Sequence, residues 1–248
     1  MIHVIGLGPG ATDLLAPRAA AALQAATDIV GYGSYLDRVP PRAGQMRHVS
    51  GNRAELARAR DALTLAQNGR RVALVSGGDA GVFGIASALF EAVEHGPPAW
   101  RGLEIEVVPG ISALLAAAAR VGAPLGHDFC VLSLSDNLKP WEAIVARLAA
   151  AAIAGFAIAI YNPASRARTW QLGAAFEMLR MHLPAATPVI FATSITRTDE
   201  RISVATLGAA DPALADMRTL VLIGTQDTRV IERPGAAPWI YAPRGEPA

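Results

Sequence analysis

The 248-residue sequence is poor in the residues that mark several common chemistries. It has one cysteine, Cys130, so no disulfide can form within the chain, which fits a reducing compartment. Cys130 sits in the apolar run 129–132 and reads as a small buried hydrophobe. Charged residues make up only 17%, the formal net charge is +1, and no run of like charge occurs. A strong electrostatic footprint for nucleic acid is therefore missing. The histidines, His3, His48, His95, His127 and His182, show no metal-ligand spacing with one another or with Cys130. No glycine precedes Lys-Ser or Lys-Thr, and no Gly-x-Ser-x-Gly elbow is present. Metal, phosphoryl-transfer and serine-hydrolase readings are accordingly weak. The most apolar segment, 148–160, is broken by Gly155 and falls short of the ~20 residues that span a bilayer. Residues 1–6 lack the basic start and long apolar core of a signal peptide. These shortages predict a soluble, cytoplasmic protein.

Apolar residues are abundant, at 52%, enough for a packed core. The most informative stretch is Ser76-Gly77-Gly78-Asp79-Ala80-Gly81-Val82-Phe83-Gly84. It follows the strand-like run 71–75 and precedes a helix-like run, 85–94. Glycines let the main chain take positive φ and let a ligand approach it closely. In open α/β sheets such turns lie at the carboxyl ends of strands, where ligands bind. A tight turn with a capping aspartate is the plainer reading.

The same strand, turn, helix order recurs along the first half. Strands are expected at 2–5, 28–31 and 103–108, and helices at 14–25, 53–68 and 112–119. That alternation argues for a mostly parallel sheet flanked by helices. Residues 32–51, with two prolines and several glycines, read as a long loop. Residues 121–126 read as a linker, dividing the chain into domains 1–123 and 124–248. In the second half, strands are expected at 128–132, 156–160, 188–193, 200–207 and 219–223, with helices at 141–151 and 169–182. The strand at 200–207 is placed to form a hairpin with its neighbour, and the proline-rich tail reads as irregular.

Gly6-Leu7-Gly8-Pro9-Gly10-Ala11 loosely fits a dinucleotide fingerprint. Against it, Asp28 opens the second strand rather than following it, and Pro9 removes an N–H that would cradle pyrophosphate. What remains is a set of Gly/Pro/Ser turns, at 6–10, 77–84, 109–113 and 161–163, each after an apolar strand. Such turns offer main-chain groups rather than side-chain catalysts, which suits a small cofactor.

Taken in this order, Gly6-Leu7-Gly8-Pro9-Gly10, Gly78-Asp79-Ala80-Gly81-Val82-Phe83-Gly84 and Pro109-Gly110-Ile111-Ser112-Ala113 resemble motifs of the tetrapyrrole methylase family of S-adenosylmethionine-dependent methyltransferases. The likeness spans nearly the whole chain. Three further segments are similar to the branch that methylates C17 of precorrin-3B, with ring contraction to precorrin-4, in cobalamin biosynthesis. They are Gly31-Tyr32-Gly33-Ser34-Tyr35, Leu132-Ser133-Leu134-Ser135-Asp136 with Pro140-Trp141-Glu142, and Ile160-Tyr161-Asn162-Pro163-Ala164-Ser165 with Arg168, Trp170 and Gln171. One departure stands out. The family loop usually reads Gly-Asp-Pro, and Ala80 here replaces the proline, which loosens the loop but keeps its main-chain groups.

The resemblance implies two α/β domains with mixed sheets flanked by helices, a cofactor cleft between them, and a homodimer. It implies that Pro9, Gly78, Asp79, Val82, Phe83, Ser112, Ala113 and Leu132 line the S-adenosylmethionine site, with Asn162 and Gly224 as further members. Arg38, Arg42, Arg47 and Arg53, in or beside the long loop, are candidates for the carboxylates of a tetrapyrrole, because a guanidinium pairs with carboxylates bidentately. Solvated surface arginines are the plainer reading of each. Ring contraction needs a proton transfer, for which Asp79, Ser133, Ser135 and Asp136 are candidates. Two alternatives stand beside this reading. One is a family member directed at C11, C20 or C2/C7. The other is an NAD-type oxidoreductase, or a binding module, that uses the first turn alone.

Overall fold

The structure is a computed structural model that describes residues 1–51 and 54–245, which form two compact units divided between Ala113 and Leu114. The first unit is built on β1 (Ile2–Gly6), β2 (Asp28–Tyr32), β3 (Met46–Ser50), β4 (Val72–Ser76) and β5 (Ile105–Val108). Their order is β3-β2-β4-β1-β5 and every pairing is parallel. The central strands β1 and β4 are buried along their whole length, the continuous apolar pattern of a sheet covered on both faces. Helices α1 (Pro17–Ala25), α3 (Glu55–Gln67) and α4 (Ile85–His95) supply that cover. Pro17 occupies the first turn of α1, where its missing N–H costs nothing. At the end of α3, Gly69 takes φ +79° and its N–H reaches Ala66 O, so the Asn-Gly pair stops the helix as the sequence indicates.

α5 starts at Ala113 and runs to Val121. The second unit continues with β6 (Gly122–Ala123), β7 (Phe129–Ser133), α6 (Trp141–Ile153), β8 (Ala157–Tyr161), α7 (Gln171–Arg180), β9 (Pro188–Thr193), β10 (Arg201–Thr206), β11 (Thr219–Ile223), β12 (Arg229–Arg233) and β13 (Ala236–Tyr241). Its main sheet has the order β10-β9-β11-β8-β7. β7 and β8 are parallel, whereas β11 runs against both of its neighbours and β10 forms the expected hairpin with β9. Phe176 and Phe191 meet edge to face at the centre of its core, with ring centroids 6.1 Å apart.

Three expectations change. The long loop at 32–51 contains a short helix, α2 (Gly33–Leu36), and the edge strand β3. β3 is half exposed and carries Arg47 and His48 among its five residues, so its apolar signal is faint. The tail is not irregular: β12 and β13 form a hairpin, and the linker expected at 121–126 contributes β6 to the same small sheet. That pairing, together with the Arg120–Glu200 ion pair at 3.1 Å, ties α5 and β6 to the second unit, so the division falls at 113/114, earlier than the sequence indicates. Among the described residues no helix is long and apolar enough to cross a membrane.

Candidate active site

In the first unit, β4, β1 and β5 are adjacent and parallel, so the turns that follow them leave from one edge of the sheet. The turns are stitched to one another by main chain. Gly8 and Gly78 exchange N–H···O bonds of 3.0 and 2.9 Å, and Leu7 N–H donates to Ser76 O at 2.9 Å. Both glycines sit in the left-handed region, at φ +71° and +62°, which an L side chain would strain. A Cβ on Gly6 would lie 2.7 Å from both Gly110 N and Gly78 O, so three turns pack main chain on main chain. Asp79 closes the set: its Oδ1 accepts from Gly81 N–H at 2.8 Å and its Oδ2 from Gly110 N–H at 2.9 Å. Ala80, fully buried, packs into the core, and its carbonyl accepts Ala86 N–H at the start of α4.

This edge gathers most of the residues expected to hold a cofactor. A Cβ on Gly78 would lie within 4 Å of Ser112 and Ala113 main-chain atoms. Pro9 and Ser112 are buried, Val82 is half-buried, and Phe83 stands 52% exposed with a left-handed backbone at φ +50°. A turn set of this kind, with close-packed main chain and few side chains, fits a ligand held through backbone groups.

The arginines expected to meet a substrate are spread differently. Arg38 donates to the carbonyls of Leu7 and Gly8 at 2.8 and 2.9 Å, so it sits directly against the first turn. Arg47 donates to Val39 O and Leu36 O, bracing the segment around α2. Arg42 departs from the expected group. It donates to Gln24 O at the end of α1, beside the amino end of β2 and so at the opposite end of the strands from the glycine turns. Residues 39–41 carry two prolines that lead the chain back toward that end before β3 begins. Arg53 lies outside the described residues.

In the second unit the parallel pair β7 and β8 ends in two more turns, and here side chains do the joining. Ser133 Oγ accepts from Asn162 Nδ2 at 2.9 Å and from Ser135 N–H at 3.2 Å. Asn162 holds φ +52°, which asparagine tolerates better than most residues. Arg168, 7% exposed, donates to Ser135 Oγ at 3.1 Å and to Asn162 O at 3.4 Å. Gln171 Nε2 donates to Asp136 Oδ2 at 3.0 Å. The Gln171 hydrogen bond holds the Asp136 carboxyl below the ordinary range; burial opposes this and Arg168 assists it, so the group is ionised at neutral pH. Leu132, half-buried, leads into this turn.

Gly224 belongs elsewhere. β11 runs antiparallel to β8, with Ile223 opposite Ile158, so Gly224 follows the far end of the strand, and its N–H donates to Pro188 O at the start of β9. It is separated from Asn162 by about 16 Å along the sheet at a rise of ~3.3 Å per residue. The sequence shows a glycine after a strand but not the direction in which that strand runs. Conversely, β9 runs parallel to β8, since both oppose β11, and its turn opens on the same edge. Ser194 and Thr196 there take φ +50° and +64°, and Ser194 Oγ donates to Asp199 at 3.1 Å. The polar stretch Thr193-Ser194-Ile195-Thr196 after an apolar strand was the available signal for it. Among the described residues no group of histidines, cysteines and carboxylates could hold a metal ion.

The family model described as tetrapyrrole (corrin/porphyrin) methylases matches residues 1–211. A precorrin-3B C(17)-methyltransferase from Sinorhizobium sp. is 54% identical over 98% of this chain and 96% of its own length. A probable cobalt-factor III C(17)-methyltransferase from Salmonella typhimurium is 42% identical over 93% of this chain and 95% of its own. Among solved structures, that of the methyltransferase CobJ superposes with a TM-score of 0.92 at 51% identity, covering 98% of this chain and 99% of that one.

Proposed function

Because the chain belongs to the tetrapyrrole (corrin/porphyrin) methylase family, we propose that it is an S-adenosylmethionine-dependent methyltransferase that methylates C17 of precorrin-3B in cobalamin biosynthesis, with ring contraction to precorrin-4. The observation that carries this reading is the turn set of the first unit. It presents packed main chain fixed by one carboxylate, with few side chains around it. That is the equipment for a reaction whose electrophile arrives already activated.

S-Adenosylmethionine supplies a methyl group on a positively charged sulfur. The protein's task is then to orient a ring carbon toward that methyl, which is catalysis by proximity. The main-chain groups of these turns that are not spent on one another would hold the cofactor, and Asp79 fixes the spacing of the turns by bridging Gly81 and Gly110. Arg38, anchored to the first turn, keeps positive charge near that edge for a carboxylate-rich macrocycle. Asp136, ionised and about one-third exposed, is the group best placed in its turn to accept a proton during contraction. Ser133, already engaged with Asn162 and Ser135, holds the shape of that turn. A homodimer in the cytoplasm is the assembly and location that accompany this reading.

The test is to incubate the protein with methyl-labelled S-adenosylmethionine and precorrin-3B and to locate the new methyl. Label at C17 of a contracted ring is the expected result, and label at C11, C20 or C2/C7 overturns the regiochemistry. The name of the Salmonella relative favours a second substrate, the cobalt-containing ring, so cobalt-factor III belongs in a parallel assay. Faster turnover of cobalt-factor III would replace the metal-free substrate with the metal-bearing one.

A further inference from the structure

We propose that Arg168 is a positioning residue that acts through Asp136, holding that carboxylate in the orientation the reaction uses; this rests on the functional reading above. Arg168 lies in the loop between β8 and α7 and is more than nine-tenths buried. Its two terminal nitrogens reach both turns at once, one to Ser135 Oγ and one to Asn162 O. Its Nε is buried without a hydrogen-bond acceptor and faces Asp136 Oδ1 at 3.7 Å. A buried guanidinium is costly unless it is paired, and its planar fork fixes what it touches. The loop itself is pinned, since Ser165 and Arg168 exchange main-chain hydrogen bonds of 3.0 and 3.1 Å. Gln171, 2% exposed, grips the other oxygen of Asp136. The carboxylate thus has one oxygen bonded to a fixed amide and the other beside a fixed positive charge. Its side chain stays 31% exposed, open to a ligand. Trp141 and Trp170, edge to face at 4.9 Å, brace the start of α6 and the residue before α7.

The test is a double-mutant cycle of Arg168→Lys and Arg168→Met with Asp136→Asn, measuring kcat and KM for methyl transfer and, separately, contraction. Each Arg168 variant is expected to lower the kcat for contraction at least tenfold while S-adenosylhomocysteine binding changes less than threefold. In the Asp136→Asn background the same variants are expected to change kcat less than twofold. Multiplying effects would overturn the proposal. Lysine keeps the charge without the fork, so Arg168→Lys decides the matter if Arg168→Met does not fold. A carbon-13 titration of the Asp136 carboxyl reads the positioning without substrate, and its midpoint is expected to rise in both variants. An unmoved midpoint overturns the role of Arg168. Absence of methyl transfer by the unaltered protein overturns the functional reading instead, and the titration still decides the positioning.

Discussion

Asp79 has two carboxylate oxygens, and both are taken by main-chain N–H groups, one from Gly81 in its own turn and one from Gly110, 31 residues further on. An asparagine would keep one acceptor and turn an amide NH₂ toward the other N–H. Asp79→Asn is therefore expected to weaken S-adenosylhomocysteine binding about ten- to a hundredfold, in line with the ~1.5–3 kcal/mol of a hydrogen bond to a charged group. Calorimetry checks this, and unchanged affinity would show that the turns hold their spacing without the carboxylate. The sequence pointed to Asp79 because a lone acid among glycines stands out. It did not reveal that the acid bonds within the turn set, since that depends on β4 and β5 both flanking β1. Ala80, the departure from the family motif, is buried in the core, and the turn around it is closed by Asp79 and by the Ala80–Ala86 hydrogen bond.

At the level of elements, the strands were legible wherever burial was complete. β1, β4, β8 and β11 read as largely apolar runs, with His3 buried inside β1, because both faces are covered. β3, β12 and β13 were missed because they are exposed or at edges, where polar residues dilute the pattern. The direction of β11 was not legible, and it alone separates Gly224 from the site and brings the Ser194 turn to the same edge as Asn162. The packing of turn on turn yields a sharp expectation. A Cβ at Gly110 would collide with the carbonyl of Gly78 and with the main chain of Gly6. Gly110→Ala should abolish measurable S-adenosylhomocysteine binding, whereas Gly102→Ala, which meets open space, should leave it within twofold. Binding measured side by side decides it, and tolerance of alanine at 110 would mean that the turns can separate freely.

Over the whole molecule, each unit has its own core, and a charged cluster stabilises the first. Asp28 is 2% exposed and is met by His48 at 2.8 Å, Arg70 at 2.7 Å and Thr27 at 2.7 Å. Burial pushes its carboxyl up, but the hydrogen bonds from His48, Arg70 and Thr27 outweigh this and leave it below the ordinary value. The unfolded chain therefore takes up the proton first as pH falls. The stability Asp28 contributes is present above the ordinary carboxylate pKa of ~3.9 and is lost as pH drops through the folded value. Asp28→Asn should destabilise the first unit by ~1–3 kcal/mol at pH 7 and by much less near the folded midpoint. Hydrogen exchange resolved by residue checks this, with β2 and β4 amides losing protection while β9 and β11 amides keep theirs. Equal loss in both units would show that they unfold as one.

The single thiol has a use that chemistry alone does not suggest. Cys130 lies half-buried on the edge strand β7, and burial raises its pKa, so little thiolate is available to a labelling reagent in the folded protein. With no other cysteine to confuse the signal, the labelling rate is a stopwatch for access to β7 alone. Because Leu132 and Ser133 follow on the same strand, a ligand seated on that turn should slow the stopwatch, and one held only by the first unit should leave it running at its own pace.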